Sequence, residues 1–272
     1  MDYIAGGTKE PGCVFCNRSR ARDDRAALIL HRGVHCFVIM NLFPYAIGHL
    51  MIVPYEHVAG PEQAAPAALR EMADLLPICL RFARSALDCA GFNVGINLGN
   101  VAGAGVADHL HEHVVPRWLG DANFMPMIAS TSVLPELIPV TYAKLRAEFE
   151  RCGSPSVRLV VLNESARKIL VEREEGNPRL PFALMEEKEA VWRTALDALA
   201  RFGVRAKVID WAGSESTNDE AASALLLQTD SSGLPTGFYW EKIETLGSLG
   251  LSDTDAAIAG RLSVPALMKE TS

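Results

Sequence analysis

The sequence predicts an α+β chain in two parts: an antiparallel sheet with a long helix over residues 1–150, then a smaller α/β unit over residues 157–272. Residues 36–55 contain no Asp, Glu, Lys or Arg and match a membrane span in length. Asn41, Pro44, Gly48, His49 and Pro54 interrupt that run, so it reads as two buried strands about a turn. Residues 61–90 place Leu69, Met72, Leu75, Leu76, Leu80 and Leu87 at helical spacing. The pattern changes near Cys152-Gly-Ser-Pro-Ser156, after which strand-like runs begin again.

The elements follow in order. Strands are expected over 28–40 and 49–54, where β-branched and apolar residues flank the turn FPYAIG. A helix follows over 61–90, with Pro61 and Glu62 near its start and a disturbance at Pro77. A strand over 92–98, a small-residue loop over 99–108, a strand over 109–116 and a helix over 134–150 complete the first part. Beyond the boundary, SVRLVVLN (156–163) and KILVERE (168–174) read as strands and 186–202 as a helix. Residues 204–211 and 223–229 read as strands, and 253–262 as a short helix.

With 26 Lys+Arg against 33 Asp+Glu the net charge is −7, and no basic block stands out. Broad binding to nucleic acid or to an anionic membrane is therefore not expected, and any phosphate chemistry must come from a local site. The first residues lack a basic stretch followed by an apolar core, so no secretory signal is expected. Six cysteines are spread along the chain, which fits a reduced, cytoplasmic protein. In that setting Cys13-x-x-Cys16 points to metal binding or redox activity.

The most informative segment is Asp108-His109-Leu110-His111-Glu112-His113-Val114-Val115-Pro116-Arg117-Trp118. On a strand, alternate residues share a face, which places His109, His111 and His113 together. A surface strand or an adventitious metal cluster is the plain alternative. Imidazole is a nucleophile near neutral pH and can donate hydrogen bonds to phosphate oxygens. The preceding loop, Gly99 to Gly105, has little side-chain bulk, so its N–H groups can approach an anion.

These residues resemble the histidine-triad (HIT) signature, His-φ-His-φ-His-φ-φ. The likeness runs from about Cys13 to Phe149, through Asn41 to Pro54, Gly91 to Gly99, and Pro116-Arg-Trp-Leu-Gly-Asp121-Ala-Asn123-Phe124. Within the family the chain is most similar to bacterial diadenosine tetraphosphate (Ap4A) phosphorylase-like members. The resemblance implies a HIT nucleotidyl transferase or hydrolase that cleaves dinucleoside polyphosphates through a nucleotidyl-histidine intermediate. It makes His111 the nucleophile and His113 a holder of phosphate oxygens, with His49 near the nucleophile or in a structural role. Asn41 matches a ribose contact, Asn97 a phosphate contact, and the backbone from Gly103 to Gly105 would meet developing charge. A nucleoside phosphoramidate hydrolase and a non-catalytic nucleotide-binding regulator are the other readings. Two positions depart from the family. Glu112 stands where an apolar residue is usual, and by alternation points away from the catalytic face. Ala104 or Gly105 stands where a Ser or Thr is common.

The same resemblance implies a structural zinc held by Cys13, Cys16, His57 and His109; an unmetallated thiol pair is the alternative. It also implies a homodimer whose substrate is an adenosine polyphosphate. Residues 157–262 resemble a Nudix domain in element order. Setting that family's final glycine on Gly203 puts an apolar residue, Val204, where one belongs. It also puts Phe182 and Lys188 at the first Gly and Glu, Leu196-Asp197 at Arg-Glu, and Ala200-Arg201 at the paired glutamates. Mg²⁺ needs hard oxygen ligands, so a degenerate, catalytically inactive Nudix-like unit is expected, serving in assembly or in covering the HIT site.

Overall fold

The computed structural model describes residues 11–121, 136–151, 156–163, 168–174, 176–185, 189–216, 221–230, 234 and 236–261. Asn123, Phe124, Lys188 and most of the expected boundary segment, including Cys152, lie outside the described residues. The chain divides into two compact units, residues 1–84 with 89–135 and residues 85–88 with 136–272. Among the described residues, no helix is long and apolar enough to cross a membrane.

In the first unit, α1 (Val14–Ser19) and α2 (Asp24–Ala27) precede β1 (Ile29–Arg32), β2 (Cys36–Met40) and β3 (Leu50–Pro54). Then come α3 (Pro66–Leu87), β4 (Gly91–Ile96), a 3-10 turn (Asn100–Ala102) and β5 (Glu112–Arg117). Among the described residues these five strands form one sheet in the order β1-β2-β3-β5-β4, with every pair antiparallel. Both β2 and β3 are buried along their whole length, which accounts for the absence of charge over 36–55. Their register runs from Cys36 opposite Pro54 to Met40 opposite Leu50. The turn between them closes when the Asn41 N–H donates to the His49 carbonyl at 2.9 Å. It also needs Gly48 at φ 67°, in the left-handed region that glycine enters freely.

Helix α3 is shorter than the expected 61–90 and continues through Pro77. Proline removes one intrahelical bond, but both Pro77 and Ala73, whose carbonyl loses its partner, lie on the exposed side. Ala68, Met72, Leu75, Cys79, Phe82 and Ala83 form the buried stripe. The expected strand over 109–116 needs a correction, because β5 starts only at Glu112. Before it, the Leu110 N–H donates to the Val58 carbonyl at 2.6 Å. The His109 ring bonds the Pro54 carbonyl at 3.0 Å. Both groups are thus engaged outside a strand ladder.

One carboxylate ties the β1–β2 turn to α3. Glu71 accepts from the backbone N–H groups of Val34 (2.8 Å), His35 (2.5 Å) and Cys36 (2.7 Å). Gly33 makes this approach possible, since a Cβ there would lie 2.5 Å from a Glu71 carboxylate oxygen and 3.0 Å from the Cys36 carbonyl.

The second unit holds α4 (Ile138–Glu150), β6 (Ser156–Asn163), β7 (Lys168–Glu174), β8 (Asn177–Arg179) and β9 (Phe182–Leu184). It continues with α5 (Val191–Arg201), β10 (Ala206–Ser216), β11 (Ala221–Thr229), β12 (Phe238–Lys242), a 3-10 segment (Ile243–Ser248) and α6 (Asp253–Gly260). Its sheet is mixed. β11 runs parallel to β6, the other pairs are antiparallel, and the main order is β10-β11-β6-β7-β12. Strand β6 is buried on both faces. On one, Val160 and Leu162 pack with Leu246 and with Ile258 and Ala259 of α6. Helices α4 and α5 also pack against the sheet, including β6, β9, β10 and β11. The expected helix over 186–202 is shorter, and Ala190 provides its extended N-cap. A buried ion pair joins sheet to helix: Arg158 Nε meets Asp255 Oδ1 at 2.8 Å, and the Leu180 N–H donates to Asp255 Oδ2 at 2.9 Å.

Glu71 yields a stability test with a pH sign. Burial alone would raise its carboxyl, but the N–H groups of Val34, His35 and Cys36 outweigh that and hold it below its ordinary value of 4.5. A carboxylate lowered by folding contributes stability above its unfolded value and loses it as pH falls through the folded one. Glu71→Gln is therefore expected to cost about 1–3 kcal/mol at pH 7, with the gap from wild type narrowing below about pH 4.5. Urea unfolding at pH 7 and pH 3 measures both; an unchanged midpoint at pH 7 rejects the role.

Candidate active site and metal centre

Two centres meet at the start of β5. In the first, one ligand atom from each of Cys13, Cys16, His57 and His109 lies within 4.8 Å of every other. His109 Nδ1 is 3.2 Å from Cys13 Sγ, 3.6 Å from Cys16 Sγ and 3.1 Å from His57 Nδ1, and Cys16 Sγ is 3.4 Å from His57 Nδ1. A tetrahedron with metal–ligand bonds of 2.0–2.3 Å has edges of about 3.3–3.8 Å, close to these separations. The tautomer also fits. The Pro54 carbonyl can only accept, so His109 Nε2 carries the proton and donates to it at 3.0 Å. The lone pair then lies on Nδ1, inside the cluster, which is the usual outer-shell arrangement of a metal-bound histidine.

The second centre contains His49, His111 and His113. His111 Nδ1 lies 2.8 Å from the His109 carbonyl oxygen. That oxygen is an acceptor, so Nδ1 is the donor, and neutral His111 keeps its lone pair on Nε2. Burial lowers the His111 pKa, against the opposing effect of the His109 carbonyl, and favours the neutral form. The His113 ring stands edge-on to His111 at 4.7 Å between centroids.

A second series of bonds sets the remaining protons. The Tyr45 N–H donates to His49 Nδ1 at 3.2 Å, and Asn41 Nδ2 reaches the same nitrogen at 3.3 Å. His49 Nε2 then carries its proton and donates to His113 Nδ1 at 2.9 Å. His113 is left with a protonated Nε2, which has no hydrogen-bond partner among the described residues. Burial, then His113 and His111, pushes fully buried His49 down to about 3. Burial, then His111, pushes His113 down to about 4. Both are neutral at pH 7. The result is a lone pair on His111 beside an N–H donor on His113, an arrangement that can combine nucleophilic attack with the holding of an oxyanion.

The β4–β5 register ends with Ile96 opposite Glu112, and Asn97 follows directly after that last pair. Gly103 takes φ 81° and its N–H donates to the Asn100 carbonyl at 3.1 Å, closing the 3-10 turn; Gly105 follows in the same loop. Glu112 is half-buried with its carboxyl pKa raised by burial, and its charge acts on Cys79 of α3. It thus faces the helix, as strand alternation requires. Arg117 and Asp121 bind each other through two contacts, Nε–Oδ2 at 2.6 Å and Nη2–Oδ1 at 2.7 Å. Two aromatic residues were not expected in the site. Phe15 lies 5.3 Å from His109 and 4.9 Å from His111, and Tyr45 lies 4.8 Å from His49 and 5.9 Å from His113, all between ring centroids. Their sequence signals were slight: one sits inside Cys-x-x-Cys, the other between Pro44 and Gly48.

Residues 24–118 match the model of the HIT domain. Over 128 residues, 47% of this chain, the sequence is 41% identical to AP-4-A phosphorylase of Mycobacterium tuberculosis, in both strain CDC 1551 and strain H37Rv. The chain spans 66% of the length of those phosphorylases, just under two thirds. It is 29% identical over 114 residues to adenylylsulfatase HINT3 of Arabidopsis thaliana, covering 42% of this chain and 56% of that one. Among solved structures, a Zn-bound histidine triad family protein from Mycobacterium smegmatis is 26% identical with a TM-score of 0.43, covering 52% of this chain and 96% of that one. With His109, His111 and His113 inside the matched segment, residues 24–118 of this chain carry a HIT domain.

Proposed function

We propose that the chain is an enzyme of the Ap4A phosphorylase or hydrolase type, cleaving dinucleoside polyphosphates through a nucleotidyl-histidine intermediate. The observation that carries this reading is the juxtaposition of the His111 Nε2 lone pair and the His113 Nε2–H, which has no hydrogen-bond partner among the described residues. The 41% identity to the mycobacterial AP-4-A phosphorylase supports the substrate class. In the first step His111 Nε2 attacks an α-phosphorus of Ap4A. The N–P bond forms as the bond to the bridging oxygen breaks, and ATP leaves. In the second step inorganic phosphate attacks the adenylylated His111 and the N–P bond breaks, giving ADP. Water in place of phosphate gives AMP. The His113 N–H holds a non-bridging oxygen in both steps, while Asn97 and the Gly103–Gly105 loop flank the phosphates and Asn41 the ribose. Substrates are adenosine polyphosphates rather than nucleic acid or membrane, in keeping with the net charge of −7.

Product analysis with Ap4A, with and without phosphate, tests the reading. ADP plus ATP only with phosphate is the phosphorylase outcome, and AMP plus ATP without phosphate is the hydrolase outcome. Saturable binding without turnover would instead mark a nucleotide-binding regulator, and cleavage of phosphoramidates alone would mark the other hydrolase type. His111→Ala is expected to lose at least ~10³-fold of activity; an active variant rejects the mechanism.

Cys13, Cys16, His57 and His109 would hold one zinc ion, a closed four-ligand site with a structural role. Thiolate ligands of this kind belong in a reducing compartment, which the cytoplasm provides. Metal analysis of protein purified without chelator is expected to give one zinc per chain, and a stoichiometry near zero rejects the site.

The second unit is read as a degenerate Nudix-like domain. Support comes from its mixed sheet packed with helices and from α5, where Leu196, Asp197, Ala200 and Arg201 fall at the family's charged positions. With one carboxylate remaining, Mg²⁺-dependent pyrophosphate cleavage is not expected to survive in His111→Ala, and its survival would reject this part of the reading. The protein is also read as a homodimer, because β4 is an edge strand whose central residues Asn93, Val94 and Gly95 are exposed. Light scattering is expected to give twice the 29.5 kDa chain mass; a monomer alone rejects it.

A further inference from the structure

We propose that Phe15 is a positioning residue that ties the Cys13/Cys16/His57/His109 cluster to His111. The inference rests on the reading of His111 as nucleophile. It concerns how that imidazole is held, which nothing in the phosphate chemistry itself determines.

Helix α1 has six residues and no side-chain cap at its N-terminus. A helix so short does not hold itself together in water, so its place depends on what its side chains reach. Cys13 and Cys16 meet His57 and His109. Arg32 follows the helix end, donating to the carbonyls of Ser19 at 2.7 Å and Ala21 at 2.9 Å. Phe15, only 4% exposed, packs with Ala27, Ile29, Phe37, Met51 and Val53.

From that seat the Phe15 ring touches both centres. It stands edge-on to His109, with centroids 5.3 Å apart and planes at 62°, and meets His111 at 4.9 Å and 45°. His111 makes a hydrogen bond through Nδ1 to the His109 carbonyl. A single such bond fixes one ring atom but leaves the ring free to swing about it. Phe15 on one contact and His113 on another, at 4.7 Å and 71°, fix the plane and so the direction of the Nε2 lone pair. Ring pairs of this geometry carry real interaction energy beyond buried area. Phe15 lies between Cys13 and Cys16 in sequence, so closure of the cluster also fixes the ring that abuts the nucleophile.

The test uses the full chain in its metal-loaded form, with Phe15→Leu and Phe15→Ala. Metal content is measured directly, and the His111 Nδ1–H signal is followed by imidazole ¹H–¹⁵N NMR. Steady-state kinetics with Ap4A gives kcat and KM separately. Phe15→Leu, which keeps the bulk and loses the ring, is expected to retain metal and melting temperature. Its His111 signal should be broadened and its kcat should fall on the order of tenfold with KM within about twofold, as for a misdirected reacting group. Stripping metal from the wild type with a chelator should broaden the same signal. A Phe15→Leu protein with a sharp His111 signal and wild-type kcat overturns the proposal, even if Phe15→Ala fails to fold. So does a metal-free wild type whose His111 signal is unchanged. The spectra need no substrate, so they decide the matter even if Ap4A is not turned over.

Discussion

The carbonyl oxygen of His109 has no proton to give, and the chemistry at the start of β5 follows from that. It binds His111 at Nδ1 and leaves the other nitrogen of that ring with its lone pair. The Pro54 carbonyl does the converse to His109, claiming Nε2 and leaving Nδ1 facing the sulfurs of Cys13 and Cys16. The Tyr45 N–H enters the same scheme from the opposite side: as a donor, it forces His49 to pass a proton toward His113. Three main-chain groups thus assign protons to four imidazoles. Burial keeps the central ones uncharged, so each nitrogen has one role at neutral pH.

Much of this was legible in the residues. The spacing of His109, His111 and His113 pointed to the candidate site, and Cys13-x-x-Cys16 pointed to half of the Cys/His cluster. The interrupted apolar run resolved into β2 and β3, because proline and glycine punctuate strands by known backbone rules. Alternation correctly turned Glu112 away from the histidines. The strand that alternation presumes was too long at its start, because the chain joins the ladder only at Glu112 and both His109 and His111 precede it. The bond from Leu110 to Val58 that delays it pairs residues far apart in sequence, and no local pattern encodes it. Phe15 and Tyr45 were missed for the same reason: an aromatic residue announces burial, but the ring it will face is a property of the tertiary packing.

The second unit shows a different balance. Its strands were readable from apolar runs because β6 is buried on both faces and tolerates little else. Its pairing order was not, since β11 lies beside β6 in parallel while β7, the next strand in sequence, takes the other edge. The buried Arg158–Asp255 pair is equally silent in sequence, where the two residues are only an arginine on a strand and an aspartate near a serine. Removing either partner alone would strand a charge away from water, which is why such pairs are strongly destabilising to break.

Gly33 and Glu71 share one volume of space. The carboxylate oxygen occupies the place where a Cβ at position 33 would sit, and it is there because three N–H groups converge on it. In divergent relatives the two positions are therefore expected to drift together. A lineage that acquires a side chain at 33 must shorten or move the acid at 71 and find new acceptors for the exposed turn, whereas one that keeps the acid keeps the glycine. That makes the pair a single inherited character written at two places in the chain.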